Sequence, residues 1–493
     1  MQTAVDYKNL YEQKTEEIAQ LQYQVASLTH QLKELQRLIF GSKHEKFIAA
    51  GSQHPLQLNL GIEAETMAQC HISSAKKIEY TRTTTVTENK KDHPGRMKLP
   101  EHLDRVEILL EPEQKQEDAK KIGEEITEEL EYAPGKMFVN RYIRPKYISA
   151  DKETIVIADL PSRPLPKSIA GAGLLAQIVI DKYVDHLPLY RQQERFKREG
   201  INVPYSTISD WVANTCKLIE PLYDALKKLI MQSRYLHADE SPIKVLDKDK
   251  KGETHRGYFW AYHNSIDGLV LFDYQPGRGR EGPHNMLKDF KGHLQTDGYA
   301  VYDFFKDKEE VTVLHCMAHA RRKFYEALDN DKSRAEYALQ QFGLLYDIER
   351  KAKQQAVSAE ELLQWRQSEA RPLLEKLGDW MKEQYMQVLP KSVIGKALGY
   401  SIERWAELTI YTTDAKLNID NNPVENNIRP IAIGRKNYLF AGSHEAAQRS
   451  AMLYSLLGTA KMHQVNPFIW IKDVLKRIND YPINKITELL PHI

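Results

Sequence analysis

Cysteine is nearly missing from this chain, with three among 493 residues, at Cys70, Cys216 and Cys316. Three widely separated thiols build no disulfide framework, and they fit a reducing compartment. No apolar run is long enough to span a bilayer. The longest, Ile169 to Ile180, falls short of the ~20 residues required and contains Gly171 and Gly173. The N-terminus, MQTAVDYKNLYEQK, lacks the apolar centre of a secretory signal. A cytoplasmic protein without membrane contact is therefore expected. HExxH and paired CxxC spacings are missing, which disfavours zinc catalysis, and no glycine-rich phosphate loop is present, which disfavours nucleotide hydrolysis. Net charge is small too, +1 at pH 7. That sum conceals patterning, because an acidic stretch from Glu111 to Glu131 offsets basic clusters at Arg321-Arg322-Lys323 and Arg429…Arg435-Lys436. Local clusters, rather than the sum, set attraction for phosphate.

What is present reads as a soluble multidomain protein, 42% apolar and 28% charged, whose length calls for roughly two to four cores. Residues 1–45 carry Ile18, Leu21, Val25, Leu28, Leu32, Leu35 and Ile39 at alternating steps of three and four. That narrow stripe predicts a coiled coil, and with it self-association or a partner helix. A single docked amphipathic helix is the plainer alternative. Residues 46–98 are polar and aperiodic, as in a linker. Residues 99–165 form a small β-rich unit with strands in VEILLEP, KMFVNRYIRPKYIS and TIVIADLP, and an acidic helix-like segment between the first two.

Residues 166–232 are helical. The third predicted helix is capped by Ser206 and follows a turn after Gly200, a helix-turn-helix pattern that aims Ser206 and Thr207 at DNA. Any helical hairpin reads similarly. From residue 233 to 330 the order is three strands, helix, strand, helix, strand, then the helix HARRKFYEAL. This α/β order is that of a ribonuclease-H-like mixed sheet. Residues 331–404 read as a helical insertion within that core, residues 405–442 as its second part, and residues 443–493 as a C-terminal helical region.

Three acids stand out. Asp239, in LHADES, follows an apolar strand whose centre is expected to be buried, and a buried carboxylate is costly unless paired or bound to metal. A hydrogen-bonded Asp at a strand end is the bland alternative. Glu240 should point to the opposite face. Asp297, in LQTDGY, ends the fourth strand ahead of Gly298, and by itself could be an ordinary Asp-Gly turn. Glu425, in DNNPVENNIRP, lies on a helix capped by Asp420, Asn421 or Asn422, with Pro423 in its first turn. Residues 425, 428, 429 and 432 share a face, so a solvated Glu425–Arg429 pair is the alternative there. Carboxylates gathered from distant segments suit hard divalent cations. Two such ions about 3.5–4 Å apart can activate an attacking oxygen and stabilise a leaving one. His319, Arg321, Arg322 and Lys323 are candidates for substrate phosphate, as are Arg429, Arg435 and Lys436, against the alternative of solvated basic faces.

The chain resembles the transposases of the insertion sequence 66 family, bacterial DDE enzymes, over nearly its whole length. The stretches that carry the resemblance are LPEHLDR, KYVDHLPLYRQQERFKREG, STISDW, LHADES, LQTDGYAVYD, HARRKF, IDNNPVENNIRPIAIGRKNYLFAGS and LLGTAKMH…NPF…LLP. The resemblance implies that Asp239, Asp297 and Glu425 bind metal within a ribonuclease-H-like fold interrupted by a helical insertion. Two Mg²⁺ ions are implied, with Mn²⁺ as a substitute. Double-stranded DNA is the implied partner, and accessory proteins of the same element are a further implied one. The family usually has a cysteine-rich zinc unit before the helix-turn-helix region. Here about 105–155 contains no cysteine, with only His102 just upstream, so no zinc is expected. The first motif also reads Asp-Glu-Ser where the family commonly has Asp-Glu-Thr. The implied chemistry is end cleavage by water followed by strand transfer. The rivals are a nuclease without joining and a non-catalytic coiled-coil DNA-binding protein.

Overall fold

The structure, a computed structural model, describes residues 99–111, 120–133, 135–148, 155–246 and 252–491. The coiled coil expected over 1–45 and the linker over 46–98 lie outside the described residues. The fold is mixed α/β. Its first sheet contains β1 (Arg105–Leu109), β2 (Lys120–Ala133), β3 (Lys136–Ile148) and β4 (Ile155–Ile157). The long β2 and β3 pair antiparallel, while β1 runs parallel to β3. The acidic segment expected to be helical is thus a strand. Ile122, Ile126 and Leu130 recur every four residues, a spacing that satisfies one face of either element. Pairing decides the matter: β3 sets Arg144 opposite Glu125 and Arg141 opposite Glu128, and Arg144 donates to Glu125 at 2.8 Å.

Helices α1 (Ala172–Tyr183), α2 (Leu189–Arg198) and α3 (Tyr205–Met231) follow. Pro204 is the N-cap of α3, with no side-chain capping bond, so Ser206 sits inside the first turn and does not cap it. Proline's fixed φ suits a helix entry, which relieves Ser206 of the role. The acidic strand β2 docks on the start of α1. Glu131 accepts a bond from the backbone N–H of Leu174 at 3.1 Å, and buried Glu129 pairs with Arg163. The approach is so close that a Cβ on Gly173 would lie 2.0 Å from Glu131 Oε1 and 2.6 Å from the Tyr132 carbonyl.

The second sheet has the order β7-β6-β5-β8-β9, from β5 (Tyr235–Leu246), β6 (Thr254–Asn264), β7 (Leu269–Gln275), β8 (Gly292–Thr296) and β9 (Val311–His315). The strands β5, β6 and β7 are antiparallel neighbours, whereas β8 and β9 run parallel to β5. A short helix, α4 (Glu281–Met286), precedes β8, and a 3₁₀ segment, Ala300–Asp307, precedes β9. After β9 comes α5 (Met317–Glu326), then the helical insertion: α6 (Lys332–Gln355), α7 (Ala359–Trp365), a π-turn, α8 (Arg371–Tyr385), α9 (Val393–Glu403) and α10 (Trp405–Thr409). The insertion builds a core of its own around Phe342, Leu374, Met381 and Leu398, seated on Leu314, Met317 and Phe324 of β9 and α5.

The chain returns to the sheet in α11 (Asn422–Tyr438), then ends in α12 (His444–Met462) and α13 (Pro467–Arg477). The edge strand β7 is closed by α12, where Ser455 Oγ accepts from Phe272 N at 2.7 Å and Thr459 Oγ1 from Val270 N at 3.1 Å. An open edge is an invitation to wrong pairing, and these hydroxyls satisfy it. No helix of the described residues is long and apolar enough to cross a membrane.

The closeness of β2 to α1 yields an expected outcome. Gly173→Ala forces backbone or the buried Glu131 to shift, at a cost of about 1–3 kcal/mol. A urea-unfolding midpoint equal to wild type would show that the junction has room that the geometry denies.

Candidate active site

The strand β5 does not end at Asp239 as its sequence suggests. It continues to Leu246 along β6, while its parallel pairing with β8 stops at His237↔Gln295. Beyond that point one edge of β5 is open. Pro242 is tolerated for this reason, because on an open edge its missing N–H forfeits no ladder bond. Continuing the β5–β8 register by two residues sets Asp297 across from Asp239, just where β8 has ended and Gly298, at φ +86°, turns the chain away.

The open edge is filled by α11 and its flanks. Asn421 donates from Nδ2 to the Ala238 carbonyl at 2.9 Å, and Arg435 donates to the Pro242 carbonyl. Ala441 N donates to the Lys244 carbonyl at 2.8 Å, and Leu246 N to the Ala441 carbonyl at 2.9 Å. These bonds hold α11 alongside β5 and carry Glu425 toward Asp239. Arg435, expected at phosphate, therefore has a guanidinium N–H committed to β5. Asn421, expected as a possible cap, makes no side-chain capping bond. Its Oδ1 instead accepts from His237 Nδ1 at 2.9 Å. His237 Nε2 accepts from Asn418 Nδ2 at 3.0 Å, so its partners select one neutral tautomer. Complete burial agrees, holding that imidazole down at about 3.

The acids share one electrostatic neighbourhood. Burial holds Asp239 well above the usual carboxylate range, reinforced by the charges of Glu240 and Asp297 and, less strongly, Glu425. Asp239 Oδ1 accepts from the N–H of Glu240 at 2.7 Å, and Asp297 Oδ1 accepts from Tyr299 N at 2.8 Å. Glu240, set aside in the sequence as facing away, is itself enclosed and raised by burial. Arg278 meets it with an Nε–Oε1 distance of 2.8 Å and lies 4.1 Å over the ring of Tyr299. The insertion touches the site at the Gly298 turn and, through Tyr346 donating to Asp420 at 3.0 Å, at the start of α11. Tyr400 of α9 donates to the Asp297 carbonyl at 2.8 Å, and a Cβ on Gly298 would lie 3.0 Å from both Tyr400 Oη and Arg404 Nε.

Glu425 and His319 face each other, Oε1 to Nδ1, at 3.9 Å. Among the described residues neither of those buried atoms has a hydrogen-bond partner. Burial lowers the His319 imidazole against the opposing pull of Asp297 and Glu425. A cluster of half-buried carboxylates, with Glu240 Oε2 and Glu425 Oε1 lacking hydrogen-bond partners among the described residues, fits a divalent cation with oxygen preference. On α5, Arg322 and Lys323 are exposed and Arg321 is half-buried, and Arg429 and Lys436 are exposed on α11. Ser206 and Thr207 lie elsewhere. Ser206 is exposed, and Thr207 lines a groove of about 830 Å³ with Pro164, Trp211, Asn214 and Lys217. Sequence reading missed Glu240 with Arg278, Cys316, Tyr400 and the β5 tie through Asn421. Only the cluster of asparagines around Glu425 signalled the last.

Comparison with known proteins gives a consistent assignment. The family model described as Transposase IS66 family matches residues 167–449, and the IS66 C-terminal element matches 455–492. A model described as Transposase C of IS166 homeodomain matches 27–108, and the zinc-finger binding domain of transposase IS66 matches 115–148. Three uncharacterized proteins of Sinorhizobium fredii are similar. Protein y4hP is 28% identical over 95% of this chain and 88% of its own length. Protein y4jD is 28% identical over 98% and 97%, and y4qI is 30% identical over 95% and 88%. The zinc-unit match corrects the expectation of no zinc, which was drawn from the missing cysteines and the lone upstream His102. The segment 115–148 has the pattern of that domain, carried by the β2–β3 ribbon, although it contains neither cysteine nor histidine.

The tie at Asn421 predicts a measurable loss. Asn421→Ala leaves His237 Nδ1 and the Ala238 carbonyl without partners, costing about 1–3 kcal/mol for each orphaned group. Asn421→Asp, which cannot donate to Ala238, should lose stability too. Denaturant unfolding of both variants indistinguishable from wild type would mean that α11 is held by its other bonds alone.

Proposed function

Because the chain belongs to the IS66 transposase family, whose model spans more than half of it, we propose that it is a DDE transposase that cleaves insertion-sequence ends and transfers them into target DNA. Membership itself implies DNA transposition. What supports the finer reading is that Asp239, raised by burial, also feels the charges of Asp297 and Glu425, acids that the β8 turn and the α11 tie bring beside β5. The sheet order β7-β6-β5-β8-β9, with β5, β8 and β9 parallel, supports a ribonuclease-H-like core.

Asp239, Asp297 and Glu425 would hold Mg²⁺, with Mn²⁺ as substitute, and such ions supply an activated oxygen nucleophile and neutralise charge on the leaving oxygen. The protein's own part is placement. The open edge of β5 presents Asp239, the Gly298 turn presents Asp297, and the α11 tie presents Glu425. Arg278 keeps Glu240 paired, which limits the negative charge beside Asp239. Arg321, Arg322 and Lys323 on α5, with Arg429 and Lys436 on α11, are the proposed phosphate contacts. Ser206 and Thr207 at the start of α3 are proposed for a second DNA contact, in a helix-turn-helix-like region. Self-association through the N-terminal coiled coil and accessory proteins of the same element complete the reading.

The test uses purified protein, labelled end DNA and Mg²⁺ or Mn²⁺. Asp239→Asn, Asp297→Asn and Glu425→Gln should each slow end cleavage by at least about a hundredfold. Wild-type rates in any of them would remove that residue from the site. Joining of the labelled end to a second duplex separates a transposase from a plain nuclease, and metal-independent function would favour the DNA-binding rival. In DNA-binding titrations, replacing Arg321, Arg322 and Lys323 with Ala should flatten the log–log salt dependence by about 0.9 per lost phosphate contact. An unchanged slope would return those residues to a solvated face.

A further inference from the structure

The pocket contains a second kind of donor that the carboxylate reading does not use. Cys316 follows β9 as the N-cap residue of α5 and is fully buried, and His319 lies in the first turn of α5, on the side that faces Glu425. The ligand atoms of Cys316, His319 and Glu425 all lie within 4.8 Å of one another. Two of the three, His319 Nδ1 and Glu425 Oε1, are buried without hydrogen-bond partners among the described residues. The third, Cys316 Sγ, accepts from the backbone N–H of Asn421 at 3.1 Å. An N–H aimed at sulfur stabilises a thiolate as well as a thiol.

We propose that Cys316, His319 and Glu425 form a site for a thiophilic divalent cation, Zn²⁺ or Co²⁺, with an open fourth position. One sulfur, one imidazole nitrogen and one carboxylate oxygen are a three-ligand set of the type zinc takes when it keeps a position for water. Donor atoms around a tetrahedral zinc lie roughly 3.3–3.7 Å apart, from Zn–ligand distances of about 2.0–2.3 Å. Closing this cluster onto an ion therefore needs movements of about an ångström, within reach of side-chain rotation. The side chains of His319 and Glu425 are 22% and 29% exposed, so an ion can enter from solvent. Thiolate favours zinc over Mg²⁺, whose preference is oxygen. The thiol must give up its proton to solvent on binding, so uptake strengthens as pH rises. The site is separate from the 115–148 segment.

Glu425 belongs to both sets, so a thiophilic ion would draw it away from Mg²⁺ and inhibit cleavage. That consequence rests on the proposed catalytic reading; the site itself does not. The experiment is a Co²⁺ titration of chelator-treated, full-length protein, followed by the thiolate-to-cobalt charge-transfer band. Wild type and Cys70→Ser should show the band, Cys316→Ser should lose it, and Asp239→Asn should keep it. His319→Ala should weaken Co²⁺ binding at least tenfold, and it carries the test should Cys316→Ser fail to fold by circular dichroism. No band in wild type, a band retained in Cys316→Ser, or unchanged affinity in His319→Ala overturns the site. Zn²⁺ added to a Mg²⁺-supported cleavage assay reads the consequence. If the band is present while wild type cleaves nothing, the catalytic reading fails and the metal site stands.

Discussion

The unpaired half of one strand is the constraint on which this structure turns. A strand buried in a sheet cannot leave its carbonyls and N–H groups unmet. Yet β8 leaves β5 after His237, and the remaining edge must find other partners. It finds them in α11 and its flanks, at Ala238, Pro242, Lys244 and Leu246. The bond from His237 to Asn421 joins residues 184 positions apart. One requirement, backbone satisfaction, therefore closes the edge and delivers the third acid to the first two.

The same gap explains why the pocket is acidic and buried together. Where β8 turns away, β5 has no neighbouring strand on that side, and Asp239 and Glu240 lie on the stretch just beyond the last paired residue, His237. Like charges in low dielectric raise each other's proton affinity. Arg278, whose guanidinium is steadied on Tyr299, pairs with Glu240, whereas among the described residues no cationic side chain is paired with Asp239. The uncompensated acid is the one beside Asp297 and Glu425. Placement of positive charge thus discriminates between two adjacent residues of identical sign.

Much of this was legible in the sequence, for physical reasons that also mark where legibility stopped. Runs of apolar, β-branched and aromatic residues placed the strands of the main sheet, and three-to-four spacing marked the residues after 331 as helical. The acidic β2 was not legible, because Ile122, Ile126 and Leu130 obey both periods and only cross-strand Arg–Glu pairing distinguishes them. Asp239 read as following an apolar strand, whereas that strand runs on past Pro242, whose missing N–H falls on the edge that β8 has left. Asn421 resembles a helix cap because its partners, His237 and Ala238, are remote in sequence. Cys316 read as an isolated thiol for a similar reason: Glu425 reaches it only after the insertion has been traversed. Counting cysteines likewise misjudged the 115–148 segment, whose family pattern resides in its strands.

That traverse shows what the insertion can and cannot do to the site. Its ends are brought together by the bond from Met317 N to the Ile419 carbonyl at 3.2 Å and by Asn421 N on Cys316 Sγ at 3.1 Å. Closing a long excursion costs little more than closing a short one, because the entropy grows only with the logarithm of length. Its own apolar core makes the helices self-supporting. The bulk of the insertion stands apart from the pocket, but Tyr346 of α6 donates to Asp420 Oδ2 at 3.0 Å and so reaches the start of the helix that carries Glu425. It also bears on Asp297, through Tyr400 and Arg404 packed against the Gly298 turn. The insertion therefore acts at the second acid and at the start of the third acid's helix, and the sheet edge fixes the rest of that helix.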